Sequence, residues 1–180
     1  EENIFKQFNI KCSYVGNPII ENFLKYRDKI NPIQNKKFFF NNSKNINCLL
    51  LPGSRDGEVK YILPEFISLI KNSNEKLSNV NWIIPTTRLK YNYIISIIKK
   101  YKISNITRVI VLEENYELLN HVDLAVACSG TITLELALFK VPTIAVYKTD
   151  FLSALIGRLL VNFQNVILPN FLLSKSIIPF

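Results

Sequence analysis

Two short clusters carry residue types that could do chemistry. Gly53-Ser54-Arg55 directly follows the apolar run Cys48-Leu49-Leu50-Leu51. Glycine lets a backbone approach a ligand closely, serine can donate a hydrogen bond, and arginine offers a guanidinium fork that matches a phosphate. The other reading is a tight turn with a solvated arginine, and the dipole at a helix start accounts for Glu58 by itself. Ser129-Gly130-Thr131 stands between an apolar stretch and a helical one, so its amides would form a helix N-terminus able to hold a diphosphate. Glu135 follows about one helical turn later, where a carboxylate can accept hydrogen bonds from a sugar's vicinal hydroxyls. An N-cap with Glu135 on a solvated face is the alternative. The flanking Leu134, Leu136 and Leu138 argue against full solvation. Lys148, Asp150 and Arg158 form a third polar group, in which Arg158 reads equally well as a snorkelling helix residue.

Other chemistries fall away. No GxGxxG and no GxxxxGK[ST] follows an apolar run, which removes the dinucleotide fingerprint and the Walker loop. The single histidine, His121, lies just before the run at 123–127, on the side of a strand where catalytic groups rarely sit, and reads as a structural or surface residue. Cys12, Cys48 and Cys128 show neither CxxC spacing nor a disulfide framework, so no metal site is expected and a reducing cytoplasm is. No apolar run is long enough to span a bilayer. The dispersed aromatic residues make no stacking platform for single-stranded nucleic acid.

The chain has 180 residues, 48% of them hydrophobic, which suits one large domain with a sizeable core. The formal charge of +8 would ordinarily point to an anionic partner. The basic residues, however, run from Lys6 to Lys175 without banding, and Ile (25), Asn (21) and Lys (17) crowd out Ala (5) and Arg (5). That bias fits drift toward A/T-rich codons, so the charge carries little functional information. The chain begins at Glu1-Glu2-Asn3 and contains no Met, and it reads as a fragment.

The elements that must position these clusters follow from periodicity. A short strand is expected at 11–15, ended by Gly16-Asn17-Pro18, then a helix at 20–29 and a connector at 31–47 around Phe38-Phe39-Phe40. Apolar runs at 48–51, 80–84, 109–112, 123–127 and 143–146 read as buried strands. Between them come helices from Glu58 (kinked or restarted at Pro64), at 88–102, at 116–120 and up to Phe139, with a last one from Asp150 to about Leu160. Alternation of this kind predicts an α/β class, a Rossmann-like parallel sheet with helices on both faces. Such sheets bind ligands beyond the carboxyl ends of their strands, where both clusters lie.

Leu50-Leu51-Pro52-Gly53-Ser54-Arg55 with Glu58-Val59 resembles the LLPGSR…EV signature of the lipid-A-disaccharide synthases. Cys128-Ser129-Gly130-Thr131-Ile132-Thr133-Leu134-Glu135 resembles that family's ASGTATLE stretch, and Pro142-Thr143-Ile144-Ala145-Val146-Tyr147-Lys148 its P-M-V-V-x-Y-K segment. Leu168-Pro169-Asn170 is similar to SLPN, and Tyr14-Val15-Gly16-Asn17-Pro18 to the FVGHP hinge. The departures are Asn17 for the hinge His, Cys128 for Ala, Lys140 for Gly, and Leu173-Ser174-Lys175 for AGR. Lys140 puts the helix C-cap in question rather than the site.

The resemblance implies the C-terminal half of a GT-B inverting glycosyltransferase, with residues 1–30 ending the N-terminal half and forming the hinge. Residues 31–180 would be the UDP-sugar-binding domain, truncated at its C-terminus. It implies transfer of 2,3-diacylglucosamine from UDP-2,3-diacylglucosamine to 2,3-diacylglucosamine 1-phosphate, at the cytoplasmic face of a Gram-negative inner membrane. Anionic lipid would be a partner and nucleic acid would not, and an oligomer is open for the full-length protein. By the same resemblance Arg55 and the turn Ser129, Gly130 and Thr131 hold the diphosphate and Glu135 the ribose, Gly53 and Ser54 belong to the same UDP-sugar site, and Tyr147 lies near the uracil and Asn170 near the donor site. The catalytic base is assigned to the absent half, and no metal or cofactor is implied. The expectation for the chain alone is weak UDP binding without turnover. The rivals are a peptidoglycan N-acetylglucosaminyltransferase, a UDP-GlcNAc 2-epimerase, or a non-catalytic nucleotide-binding module. A GGS-type loop in place of Pro52–Arg55, or extra catalytic carboxylates and histidines, would mark the first two.

Overall fold

A computed structural model of the chain describes residues 2–13, 15–27, 45–73, 76–149 and 167–180. Its centre is a five-stranded, wholly parallel sheet in the order β3-β2-β1-β4-β5, with β1 at Ile46–Leu51, β2 at Val80–Thr86, β3 at Thr107–Val111, β4 at Leu124–Cys128 and β5 at Thr143–Val146. The central strands are apolar throughout because helices cover both faces, so neither face is left for polar residues. Side-chain alternation then divides the core in two. Cys48 and Leu50 of β1 and Trp82 and Ile84 of β2 face Val59, Leu63, Phe66 and Ile70 of α3 (Asp56–Ser73) and Ile94 and Ile98 of α4 (Arg88–Lys100). Leu49 and Leu51 of β1, Ile83 of β2, and Ala125 and Ala127 of β4 pack on the opposite side. Their partners there are Leu118 and Leu119 of a 3-10 helix (Tyr116–His121) and Leu136 of α5 (Ile132–Leu138).

Two N-terminal helices, α1 (Glu2–Gln7) and α2 (Pro18–Arg27), precede the sheet, and α6 (Leu168–Leu173) follows it. Phe23 of α2 meets Phe139 edge-on with ring centroids 5.1 Å apart, which fastens α2 beside α5. The strand expected at 11–15 is absent: residues 11–13 and 15 lie outside the sheet, and Val15 is almost fully exposed. An isolated apolar stretch has no ladder to join, so composition alone could not make it a strand. The helix α3 also continues through Pro64 instead of restarting. Pro64 is on the solvent side, where water can take the carbonyl that a helical N–H would otherwise engage. Residues 31–44 of the connector expected at 31–47 and the helix expected from Asp150 to Leu160 lie outside the described residues, while Ile46 and Asn47 already belong to β1.

The departure at Lys140 is answered by geometry. Lys140 takes φ +58°, its N–H donates to the carbonyl of Ala137, and the N–H of Val141 donates to that of Leu136. This pair of bonds is a Schellman motif, with the buried Val141 and Leu136 in one hydrophobic cluster. Ser174, the family's other glycine position, likewise adopts φ +49° beyond α6. Both caps therefore form with residues that bear a Cβ, at some cost in strain.

Candidate functional site

The carboxyl ends of β1 and β4 point to the same side, and the chain leaves them in opposite directions along the sheet. A crevice opens at that switch. It is a cleft of about 580 Å³ bordered by the β1 loop, the end of β2, the segment after β3, the turn after β4 and the start of α5. Seven residues picked from the sequence line it: Gly53, Ser54, Arg55, Ser129, Gly130, Thr131 and Glu135.

The β1 loop is built around a carboxylate. Glu58, at the start of α3, accepts hydrogen bonds through Oε2 from the N–H groups of Ser54 (3.0 Å) and Arg55 (3.2 Å), and through Oε1 from the Arg55 guanidinium (2.9 Å). Gly53 has φ +96°, and a Cβ there would come within 2.3 Å of Glu58 Oε2. The position therefore requires glycine for its backbone conformation and for the space that Glu58 occupies. Arg55 itself remains 84% exposed, so its ion pair adds little to stability, while its guanidinium keeps free donor positions at the cleft.

The β4 turn is arranged differently. The Ser129 N–H donates to the Val146 carbonyl and so belongs to the sheet, while Thr133 Oγ1 donates to the Gly130 carbonyl at 2.7 Å. The N–H groups of Gly130 and Thr131 make no hydrogen bond among the described residues and lie at the exposed lip of the cleft. Thr131 has helical φ and ψ without a side-chain cap bond, so the turn leads into α5 with amide capacity to spare.

Glu135 lies deeper. Its Oε2 accepts a 2.6 Å hydrogen bond from the Tyr116 hydroxyl. Burial pushes the Glu135 carboxyl above the usual range, and the Tyr116 bond partly opposes that shift. Tyr116 is raised in turn by burial and by the adjoining carboxylate. Nearby, the Cys128 thiol is pushed up to about 12, mainly by burial, which leaves it an inert small hydrophobe. The Thr86 hydroxyl, at the end of β2 beside the cleft, is buried without a partner among the described residues.

Two residues singled out from the sequence are not brought to this cleft. Tyr147 is half exposed just past β5 and does not line it. Asn170 is buried in α6, donating to the Ile178 carbonyl (2.8 Å) and accepting from the N–H groups of Ile177 (3.0 Å) and Ile178 (2.9 Å). Its amide is thereby spent on clamping the C-terminal segment. Lys148 pairs with Glu65 of α3, while Asp150 and Arg158 lie outside the described residues. His121 is buried at the amino end of β4, and its carbonyl accepts from Asn47.

The cleft also holds residues that sequence reasoning passed over: Tyr116 after β3, and Asn22 and Tyr26 of α2. Tyr116 had a signal, because it opens the short helix expected directly after a strand's carboxyl end. Asn22 and Tyr26 had none, since nothing in their local pattern says that α2 reaches the sheet. Among the described residues no group of His, Cys, Asp and Glu is clustered to hold a metal, and no helix is long and apolar enough to cross a membrane.

Solved structures of similar fold include the *S. aureus* MnaA–UDP complex, at TM-score 0.56 and 14% identity over 91% of this chain and 46% of that one. The *Methanocaldococcus jannaschii* UDP-GlcNAc 2-epimerase with UDP-GlcNAc and UDP matches at TM-score 0.51 and 17% identity, over 86% and 45%. These likenesses speak to the Rossmann-like fold alone. Sequence relatives are more specific. A lipid-A-disaccharide synthase of *Rickettsia canadensis* is 34% identical, and one of *Persephonella marina* 31%, each over 99% of this chain. The chain spans 45% and 48% of their lengths, about half of each. The family model described as lipid-A-disaccharide synthetase matches residues 1–180. With its whole length covered by that model, the chain belongs to the lipid-A-disaccharide synthetase family.

Proposed function

We propose that this chain is the nucleotide-sugar-binding half of a hexosyltransferase that makes the lipid A disaccharide. The observation that carries the reading is the convergence of Gly53–Arg55, Gly130–Thr131 and Glu135 on one cleft at the switch point of the sheet. In this reading the free amides of Gly130 and Thr131 and the exposed guanidinium of Arg55 face the diphosphate of UDP-2,3-diacylglucosamine. Glu135 accepts from the ribose. Transfer forms a bond from the 6-hydroxyl of 2,3-diacylglucosamine 1-phosphate to the donor's C1 and breaks the bond from C1 to the diphosphate. The acceptor's proton goes to a base outside this chain. The charge that develops on departing UDP is met by amides and a guanidinium already in place.

Residues 1–30 are assigned to the hinge side and 31–180 to the donor domain, and the enzyme works against the cytoplasmic face of an inner membrane. UDP binding is the direct test. Titration calorimetry on protein shown to be folded by circular dichroism is expected to give weak binding with no turnover. A folded chain that binds no UDP removes the site assignment.

A further inference from the structure

Glu135 uses only Oε2 in the hydrogen bond with Tyr116, and its carboxylate has no other side-chain or backbone partner among the described residues. A carboxylate offers about four lone-pair sites. One oxygen is thus held and the other is left with its full accepting capacity. Tyr116 is itself held. Its ring packs against Tyr26 of α2 at 5.1 Å between centroids and against Phe139 at 5.6 Å, with its body buried. The hydroxyl is therefore fixed by a packed aromatic cluster rather than by a loop.

We infer that Tyr116 is a positioning residue of the nucleotide site: its hydroxyl fixes the Glu135 carboxylate so that the remaining lone pairs take the vicinal hydroxyl pair of a ribose. The inference rests on the nucleotide-sugar reading above and adds a residue to it. A carboxylate free to rotate would lose side-chain freedom on binding, whereas one already tied to a packed ring has lost it on folding. The hydroxyl also stabilises the ionised carboxylate against the burial that disfavours it, keeping the form that accepts from both sugar hydroxyls. The other ionisable groups lining the cleft are Tyr26 of α2, Arg55 of the β1 loop, Glu58 at the start of α3, Glu113 after β3, and Cys128.

The test is calorimetry of the 180-residue chain and its Tyr116→Phe variant with UDP, 2′-deoxy-UDP and inorganic pyrophosphate, with melting curves to verify folding. Tyr116→Phe is expected to weaken UDP about fivefold, the scale of one hydrogen bond, and to narrow the preference for UDP over 2′-deoxy-UDP. Pyrophosphate affinity should stay the same. Added to Glu135→Ala, the Phe substitution should cost nothing further, because the group it positions is gone. The loss of UDP affinity on acidification should begin at higher pH in Tyr116→Phe than in the parent, since the protonated Glu135 is then less opposed. Equal UDP affinity and an unmoved pH profile overturn the proposal, and so does an equal loss for pyrophosphate, which would mark a purely structural residue. Should the parent bind no UDP, the nucleotide reading fails and the pairing is judged separately. Carbon-detected NMR titration of the Glu135 carboxyl then upholds the Tyr116–Glu135 pairing alone if it moves up in Tyr116→Phe and overturns the pairing too if it does not.

Discussion

Glu135 and Asn170 are both polar, both largely withdrawn from water, and both belong to motifs that resemble family sequence, yet their surroundings assign them opposite work. Asn170 makes three hydrogen bonds to the chain's own backbone, so all but one of the four its amide can make are filled by the fold. Glu135 makes one side-chain bond and borders a cleft, so its capacity is left for something else. A buried polar group whose partners are all internal holds structure. One with unspent acceptors beside a cavity is suited to hold a ligand. Glu58 falls between them: its carboxylate fills the amides of Ser54 and Arg55, as a bound anion would, and so shapes the β1 loop from inside.

Substitutions that separate stability from binding would break or sharpen this contrast. The largest effect expected is on stability: Asn170→Ala should cost about 2–4 kcal/mol, because it strands the buried carbonyl and N–H of Ile178, while the N–H of Ile177 keeps the Lys175 carbonyl. Chemical denaturation measures this, and UDP affinity of the folded fraction should hardly change. A stable Asn170→Ala chain that has lost UDP binding would return Asn170 to the donor site that the family resemblance implied.

The opposite pattern is expected at Glu135. Glu135→Ala should weaken UDP by about 1–3 kcal/mol, the range for charge-assisted hydrogen bonds. Stability should move the other way in Glu135→Gln. Burial raises the Glu135 carboxyl in the folded state, so the folded chain favours the protonated form. That contribution to stability is fully present below the unfolded carboxyl range and is lost as pH rises through the folded value. Glu135→Gln should therefore melt higher than the parent at neutral pH, with the gain shrinking as the pH is lowered through the carboxyl range. A melting difference that does not vary with pH would refute the burial argument.

At the β1 loop, Gly53→Ala should destabilise by about 1–3 kcal/mol, from the positive φ and the collision with Glu58. A double variant with Glu58→Ala should recover the collision part only, which thermal melts can separate. The smallest effect is at the α5 cap, where Lys140→Gly should stabilise by about 0.5–1 kcal/mol by relieving a left-handed residue that bears a Cβ. No change in UDP affinity should accompany it.

How much of this was legible beforehand follows from which interactions are local. The five apolar runs, the helices between them and the placement of the polar loops at strand ends all follow from periodicity, because burial on both faces leaves a continuous apolar signature. Glu135 was legible for the same reason, one helical turn after the β4 loop. The strand expected at 11–15 failed because strands are defined by partners, which are not local. Tyr147 and Asn170 carried motif likeness, but the turn after α6 brings the backbone of Ile177 and Ile178 onto the Asn170 amide, and Tyr147 stands half exposed past β5.

The order of residues by itself determined the α/β class, the polar loops at the strand ends and the family to which the chain belongs. Only the tertiary structure decided that Ser129's N–H is consumed by β5, that Glu58 fills the β1 loop, that Asn170 is spent on the C-terminal segment, and that Tyr116 meets Glu135. The physical reason is one of range. Periodicity reports how each segment meets water, whereas hydrogen-bond capacity is allotted among particular groups, here from 3 to 19 residues apart, whose meeting depends on backbone geometry that only the folded chain sets.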